Sequence, residues 1–195
     1  MSEFKMYYFT SDWFLGHIPK WNVWLDHLKG RLNVNMLEIG SFQGRSALWC
    51  LDNILTHPTS RIYCCDPFVE TPTVPNSFNM FEIFQHNIRN HADKITILRG
   101  TSREQLKLDN FTAKHSEFFD IIYIDGDHTS ASVLEDAILA WPLLKRGGTL
   151  IFDDFYWGDI SSIDACYLGI NFFLSAYEKA IRVVEKGYQV CLIKL

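Results

Sequence analysis

Short runs rich in β-branched, aliphatic and aromatic residues alternate with longer runs of helical periodicity along most of the chain. Strands separated by helices favour parallel pairing and right-handed crossovers. The last two β-rich runs, 181–185 and 188–194, are joined across Lys186-Gly187, and so tight a link predicts an antiparallel hairpin. The pattern predicts an α/β fold whose first five strands are 35–39, 61–65, 94–98, 119–124 and 149–152 and whose helices are 44–57, 77–91, 102–106, 131–144 and 160–178.

Length and composition narrow the class of protein. We expect the 195 residues to form one domain, with residues 1–32 as a helical, aromatic-rich cap that could mediate a homodimer. The formal net charge of −5, without a long basic run, argues against a duplex nucleic-acid partner. The sequence contains no run of about 18 apolar residues, so we predict no membrane span. Five cysteines without a CxxC pair or a recognisable secretion signal favour reduced, buried thiols and a cytoplasmic location.

Polar residues follow every predicted parallel strand. Because ligands of open α/β sheets bind beyond the carboxyl ends of the strands, these residues predict one shared site. Gly40 can form a tight turn after the first strand, and Gly44 opens a helix whose free N–H groups attract a polar ligand. Phe42 stands where a dinucleotide fingerprint has its middle glycine, which disfavours NAD or FAD but not a nucleoside without phosphates. Asp66, after the second strand, could accept both ribose hydroxyls, and Glu38 could fix an ammonium group.

Four segments carry a family resemblance: LEIGSFQGRSALWCL, IYCCDPF, FDIIYIDGDH and GGTLIFDDF. Together with the opening FTSDWFLGHIPKW, they resemble class I S-adenosylmethionine-dependent methyltransferases, in particular a small-domain group with an IDGDH strand end. The resemblance implies a Rossmann-like seven-stranded sheet, mostly parallel, with an antiparallel C-terminal strand and helices on both faces. It also implies cofactor contacts: the methionine end against Glu38, Gly40, Ser41, Gly44 and Ser46, the ribose on Asp66, and the adenine beside Phe68, Gly100, Thr101 and Ser102.

Three carboxylates follow the fourth and fifth strands, which are neighbours in such a sheet. Asp125, Asp153 and Asp154 would repel one another unless a cation or a proton relieved them, and hard oxygen ligands suit Mg²⁺, Mn²⁺ or Ca²⁺. Related metal-dependent sugar and small-molecule O-methyltransferases imply a metal at these positions, with Asp127 as general base. His128, with an ordinary pKa near about 6.5, is the alternative base. The simpler interpretation is that Asp127 and the Asp153-Asp154 pair cap local structure and that Asp125 hydrogen-bonds the cofactor or loop amides.

The expected function is methyl transfer from S-adenosylmethionine to a small-molecule acceptor, with a hydroxyl oxygen favoured by the acidic cluster and divalent-metal assistance. Trp13, Phe14, Trp157 and the proline-containing segment 67–76 are candidates to close the site against water. Two alternatives remain open at this stage. One is a catalytically silent cofactor-binding module, and the other, less favoured, is a nicotinamide-dependent oxidoreductase.

Overall fold

The computed structural model describes residues 7–69 and 79–195. Within them, seven strands form one sheet in the order β3-β2-β1-β4-β5-β7-β6. Strands β1 to β5 pair in parallel, and β7 runs antiparallel to both β5 and β6. This confirms the Rossmann-like seven-stranded sheet and the closing hairpin. The strands are β1 (Asn35–Ile39), β2 (Arg61–Asp66), β3 (Ile95–Arg99), β4 (Phe119–Ile124), β5 (Leu144–Phe152), β6 (Ile181–Lys186) and β7 (Val190–Lys194).

The helices are shorter than the sequence periodicity predicts. Several continue as a 3₁₀ segment, as at Arg89–Lys94 and Trp141–Leu143, where the α-helical hydrogen bonds stop. The α-helices are α1 (Ile18–Trp24), α2 (Arg45–Asn53), α3 (Met80–Ile88), α4 (Ser102–Gln105), α5 (Phe111–Lys114), α6 (Ser130–Ala140) and α7 (Cys166–Ala176).

Strand β5 begins at Leu144, and the predicted start at residue 149 was wrong. Both glycines of the Gly147-Gly148 pair lie inside the strand, where the φ of Gly147 is +76° and the register between β4 and β5 shifts. The strand therefore contains an irregularity that β-rich sequence alone does not indicate.

The two faces of the sheet carry separate cores. Helices α1, α2 and α3 cover one face with a cluster that includes Trp21, Leu51 and Phe84, and α6 and α7 cover the other with a cluster that includes Ala137 and Phe173. Because side chains alternate along a strand, Glu38, Tyr123 and Asp153 all project toward the α1–α3 face. The N-terminal cap therefore lies over the acidic strand ends.

The described part of the N-terminal segment is a helical cap. Its buried apolar residues include Phe14, Trp21 and Trp24, but Trp13 is 65% exposed and its ring stacks on Phe42. Residues 1–6 and the greater part of the predicted lid, 70–76, lie outside the described residues. The single-domain assignment and the limits of the cap stay predictions. In the part of the chain that is described, no helix has both the length and the apolarity to cross a bilayer.

Candidate active site

Backbone hydrogen bonds join the carboxyl ends of five strands into one edge. Gly40 N donates to Cys65 O at 2.9 Å, Gly100 N to Asp66 O at 3.0 Å, and Asp125 N to Ile39 O at 2.8 Å. Asp153 N continues the series by donating to Ile124 O at 2.9 Å. The polar tips of β1 to β5 therefore lie along a single rim.

Gly40 is required where β1 meets β4. Its φ is +88°, and a Cβ built on it would stand 1.8 Å from the carbonyl oxygen of Asp125. Only a glycine allows both the left-handed backbone and this approach. The turn that follows is therefore fixed directly beside the acidic end of β4.

Asp66 organises the loop between β1 and α2. Its Oδ2 accepts from Ser41 N and Phe42 N, each at 2.8 Å, and its Oδ1 accepts from Phe68 N at 2.5 Å. Burial raises the pKa of Asp66, and the three amide hydrogen bonds oppose that rise. A carboxylate has roughly four acceptor positions, so Asp66 retains about one for a ribose hydroxyl. Its first role is to shape the loop, and any ribose contact adds to that role.

Glu38 is a buried acidic residue near the end of β1, next to the β1–α2 loop. The side chain is fully buried, and Ser46 Oγ donates to its Oε1 at 2.5 Å. Burial raises the pKa of Glu38 to about 7, with the Ser46 hydrogen bond opposing the rise. Glu38 Oε2 and the adjacent Ser41 Oγ are both buried and have no hydrogen-bond partner among the described residues. Such unsatisfied buried atoms are costly, and an ammonium group would satisfy Glu38.

We expect Glu38 to make the stability of the protein depend on pH. Its pKa of about 7 in the folded state lies above the ordinary glutamate value of 4.5, so between these values the folded state holds a proton that the unfolded state has lost. The Glu38 contribution therefore favours folding fully below about pH 4.5 and is lost as the pH rises through 7. Glu38→Gln should flatten the stability curve and raise the free energy of unfolding at pH 8 by on the order of 3 kcal/mol. Urea unfolding of both proteins at pH 5 and pH 8 measures this, and parallel pH dependences would contradict it.

The residues expected around adenine have partners of their own. The Phe68 ring is 6% exposed and packs against Phe81 and Phe84, which leaves little of its surface for a ligand. Thr101 caps α4 and forms a reciprocal capping box with Glu104. The Ser102 hydroxyl donates to the carboxylate of Asp136, a residue that the sequence interpretation did not select.

Asp153 belongs to a buried hydrogen-bond network. Its Oδ2 accepts from the Tyr123 hydroxyl and, at 2.8 Å, from Gln189 Nε2, while its Oδ1 accepts from Asp154 N at 2.7 Å. Gln189 in turn accepts from the Trp21 indole at 2.9 Å. The expected metal ligand Asp153 is thus turned into the protein and tied to the cap.

Tyr123 connects this network to Asp125, since its hydroxyl also lies 3.0 Å from Asp125 Oδ2. A hydroxyl carries one hydrogen, so both Tyr123 contacts are hydrogen bonds only if one carboxyl group is protonated. The pKa of Asp125 is raised well above its usual value by burial and then by the charges of Asp153 and Asp154, which makes Asp125 the protonated partner.

Asp125, His128 and Asp154 do come together. One ligand atom from each lies within 4.8 Å of the others, the spacing of a possible metal site. His128 Nδ1 lies 2.9 Å from Asp154 Oδ2, and the Tyr188 hydroxyl donates to Asp154 Oδ1 at 2.8 Å. The hydrogen bond with Asp154 raises the pKa of His128 to about 10, so the ordinary value near 6.5 assumed from the sequence was wrong for this arrangement. Imidazolium and carboxylate form an ion pair beside Asp125.

Asp127 lies outside this cluster. It is exposed, and its Oδ1 accepts from Thr129 N at 2.8 Å just before α6 begins. That contact closes a turn before α6, whose N-cap is Thr129 and not Asp127. His128 faces the acidic group, and its ring lies 5.0 Å from that of Trp157.

Three buried residues of this edge were missed by the sequence interpretation: Tyr123, Asp136 and Gln189. Strand alternation could have identified Tyr123, because it lies two residues before Asp125 and so projects to the same face. Asp136 could have been noticed as a carboxylate on the apolar side of α6. Gln189 carries no local signal, because only the antiparallel return of β7 brings it to Asp153.

Comparisons with known proteins agree with this arrangement. A family model described as a methyltransferase domain matches residues 37–155. No curated protein matches the chain. Among solved structures, cofactor-bound Rv0187 from MTB is 15% identical over 97% of this chain and 84% of its own, with a TM-score of 0.65. An O-methyltransferase from Bacillus cereus in complex with SAH is 21% identical over 82% of this chain and 74% of its own, with a TM-score of 0.61.

A third similar structure is longer than this chain. MycE methyltransferase from the mycinamycin biosynthetic pathway, in complex with Mg and SAH, is 15% identical over 90% of this chain, with a TM-score of 0.62. The alignment covers 48% of MycE, so the chain spans about half the length of that neighbour. At these identities the three structures establish the fold.

Proposed function

The chain belongs to the methyltransferase-domain family. We propose that it is an S-adenosylmethionine-dependent methyltransferase that methylates a hydroxyl oxygen of a small-molecule acceptor with the help of a divalent cation. The observation that carries this proposal is the convergence of Asp125, His128 and Asp154 at the rim of the sheet. An amine acceptor needs only its neutral form, whereas a hydroxyl needs help to lose its proton. An acidic cluster with an imidazole beside it can provide that help.

The methionine end of the cofactor is proposed to lie on the loop between β1 and α2. The unpartnered Glu38 Oε2 and Ser41 Oγ are suited to its amino and carboxylate groups, and Gly40, Gly44 and Ser46 keep the loop close to them. Asp66 is the proposed ribose acceptor, and the 100–102 turn, with Phe68 behind it, borders the adenine. When bound, S-adenosylmethionine supplies an activated methyl group, so the protein has to align the acceptor oxygen with it.

The proposed cation ligands are Asp125 and Asp154, the two carboxylates of the group that they form with His128. Carboxylate oxygens suit Mg²⁺, Mn²⁺ or Ca²⁺, and an imidazole nearby makes Mn²⁺ a good probe. A bound divalent cation lowers the pKa of a coordinated hydroxyl. Asp153 is proposed as an internal anchor, because Tyr123, Gln189 and the Asp154 amide already occupy its oxygens.

His128 is the proposed proton acceptor. Asp154 fixes the ring through Nδ1, an arrangement that orients the other ring nitrogen outward. The hydrogen bond with Asp154 is the main cause of the high pKa of His128. A cation held by Asp125 and Asp154 would oppose that rise, and the ring would then be available in its neutral form.

Two of the similar solved structures support a small-molecule hydroxyl acceptor. MycE has been solved with Mg, SAH and mycinamycin VI, which is a small molecule, and the B. cereus protein is named an O-methyltransferase. The exposed aromatic side chain of Trp157 stands beside His128 and could contact the carbon skeleton of an acceptor.

The proposal also includes a cytoplasmic location and a homodimer. All five cysteines are free and buried, which supports a reducing compartment such as the cytoplasm. The exposed Trp13 and Leu15 of the cap are suited to contact a second copy of the chain.

Chelation tests the metal-assisted O-methylation. With a panel of small hydroxylated acceptors, we expect methyl transfer to be lost in excess chelator and restored by Mn²⁺ or Mg²⁺. SAH binding, measured by calorimetry in the same chelator, should persist because the β1–α2 loop does not include the cation ligands. Full activity in chelator would contradict cation assistance, and transfer only to amines would contradict the hydroxyl acceptor.

A further inference from the structure

Trp21 links the N-terminal cap to the acidic end of β5 through a single buried amide. Its side chain is fully buried, and its indole Nε1 donates to Gln189 Oε1 at 2.9 Å, while Gln189 Nε2 donates to Asp153 Oδ2 at 2.8 Å. An indole N–H can only donate and a carboxylate can only accept, so both neighbours require the same orientation of the Gln189 amide. The amide is therefore held at its two ends, and the position of Asp153 is coupled to that of the cap.

Asp153 carries this link into the backbone of the next residue. Its Oδ1 accepts from Asp154 N at 2.7 Å, and the φ of Asp154 is +57°, in the left-handed region that residues other than glycine rarely adopt. A residue persists in that region only when its surroundings hold it there. The Asp153 carboxylate, held by Gln189, is one of the groups that stabilise the left-handed turn at Asp154.

The left-handed turn sets the direction of the Asp154 side chain. Asp153 is turned into the protein, whereas Asp154 Oδ2 lies 2.9 Å from His128 Nδ1 and Asp154 Oδ1 accepts from the Tyr188 hydroxyl at 2.8 Å. If residue 154 continued the strand in an extended conformation, its side chain would project to the opposite face from that of Asp153. The contact between Asp154 and His128 therefore depends on the backbone conformation that Asp153 stabilises.

The packing of the cap does not by itself require an indole N–H at residue 21. The Trp21 ring meets that of Tyr123 edge to face, with centroids 4.8 Å apart, and also contacts Phe14 in the same way at 4.9 Å. A phenyl ring could make aromatic contacts of this kind, but it could not donate to Gln189. The N–H group thus gives Trp21 a role beyond filling the core.

We infer that Trp21 is a positioning residue for the reaction: through Gln189 and Asp153 it holds Asp154 against His128, so the cap forms part of the active site. The effect on methyl transfer rests on the proposed function, but the effect on the Asp154–His128 contact does not. Partners that orient the groups around a metal site change metal affinity or activity by about 10–100-fold when they are removed.

The test is Trp21→Phe, which keeps an aromatic ring beside Tyr123 and removes the indole N–H. Nitrogen–proton correlation spectra of the imidazole rings, recorded without added metal, report the hydrogen bond at His128 Nδ1, and we expect this resonance to shift. The kcat for methyl transfer at saturating S-adenosylmethionine should fall by about 10–100-fold, with SAH affinity changed by less than about 3-fold. Gln189→Met, which removes the amide at similar length, should give the same two results.

Trp24→Phe is the matched control, since Trp24 is a buried tryptophan of the same helix that lies outside this chain of hydrogen bonds. It should leave the His128 resonance and kcat unchanged, and thermal unfolding checks that all variants are folded.

Three results would overturn the inference: an unmoved His128 resonance in the folded Trp21 and Gln189 variants, an equal shift in Trp24→Phe, or an unchanged kcat in an active protein. If the unmodified protein transfers no methyl group and the resonance still moves in Trp21→Phe, the proposed function fails while the positioning of His128 by the cap stands.

Discussion

Replacing His128 with glutamine is expected to lower kcat by about 10²–10⁴-fold, the range for loss of a positioned general base. The ring is held at 2.9 Å by Asp154 and stands beside Asp125, so its removal takes away the proposed proton acceptor at the acidic cluster. SAH affinity should change by less than about 3-fold, because the cofactor loop lies on β1 and β2. Steady-state kinetics and calorimetry on the same preparation separate the two effects.

Asp127→Asn is the matched control for this experiment. Asp127 is the adjacent residue in the same loop, but it is exposed and its Oδ1 is bonded to Thr129 N. Asparagine retains that acceptor, so we expect a change in kcat of less than about 3-fold. A large loss in Asp127→Asn with little change in His128→Gln would assign the base to Asp127 and contradict the present assignment.

The second large effect concerns the fold of the cofactor loop. Gly40→Ala should destabilise the protein by about 3–5 kcal/mol, since it combines left-handed strain with a severe overlap. The Cβ would stand 1.8 Å from a backbone oxygen of Asp125, and β1 and β4 are held together by their ladder, so neither chain can move away cheaply. The displaced loop should also lose SAH binding.

Gly147→Ala separates strain from overlap. Gly147 has a φ of +76°, close to that of Gly40, but a Cβ there would meet nothing within 4 Å. It should cost only the left-handed strain, about 1–2 kcal/mol. Urea unfolding of the two variants measures the difference, and equal losses would show that the approach of β1 to β4 is not what requires Gly40.

The fold was largely predictable from the sequence, because periodicity and the Lys186-Gly187 link report local and near-neighbour geometry. The predicted membership of a methyltransferase family was also confirmed. Strand order brought Glu38, Asp66 and Asp125 to one rim, as the rule for parallel sheets predicts. The start of β5 was missed, since the strand continues through a glycine pair where the backbone is irregular and the register with β4 shifts.

The details of the site were harder to predict from the sequence, because the direction of a side chain depends on partners that are distant along the chain. Asp153 and Asp154 are adjacent in sequence, yet Asp153 turns inward to Tyr123 and Gln189, while Asp154 turns to His128 and Tyr188. The directions of these two side chains depend on β7, because its return along β5 brings Gln189 and Tyr188 to this end of the sheet. No pattern local to the Asp-Asp pair contains that information.

The central claim is that one rim of the sheet holds both the cofactor and a cation. A crystal structure with SAH and Mn²⁺ supplied, with manganese located by its anomalous signal, tests it most directly. We predict the amino group of SAH at Glu38 and Ser41, and a manganese peak bounded by Asp125 and Asp154. SAH bound away from the β1–α2 loop, or manganese found only at other carboxylates, would contradict the account.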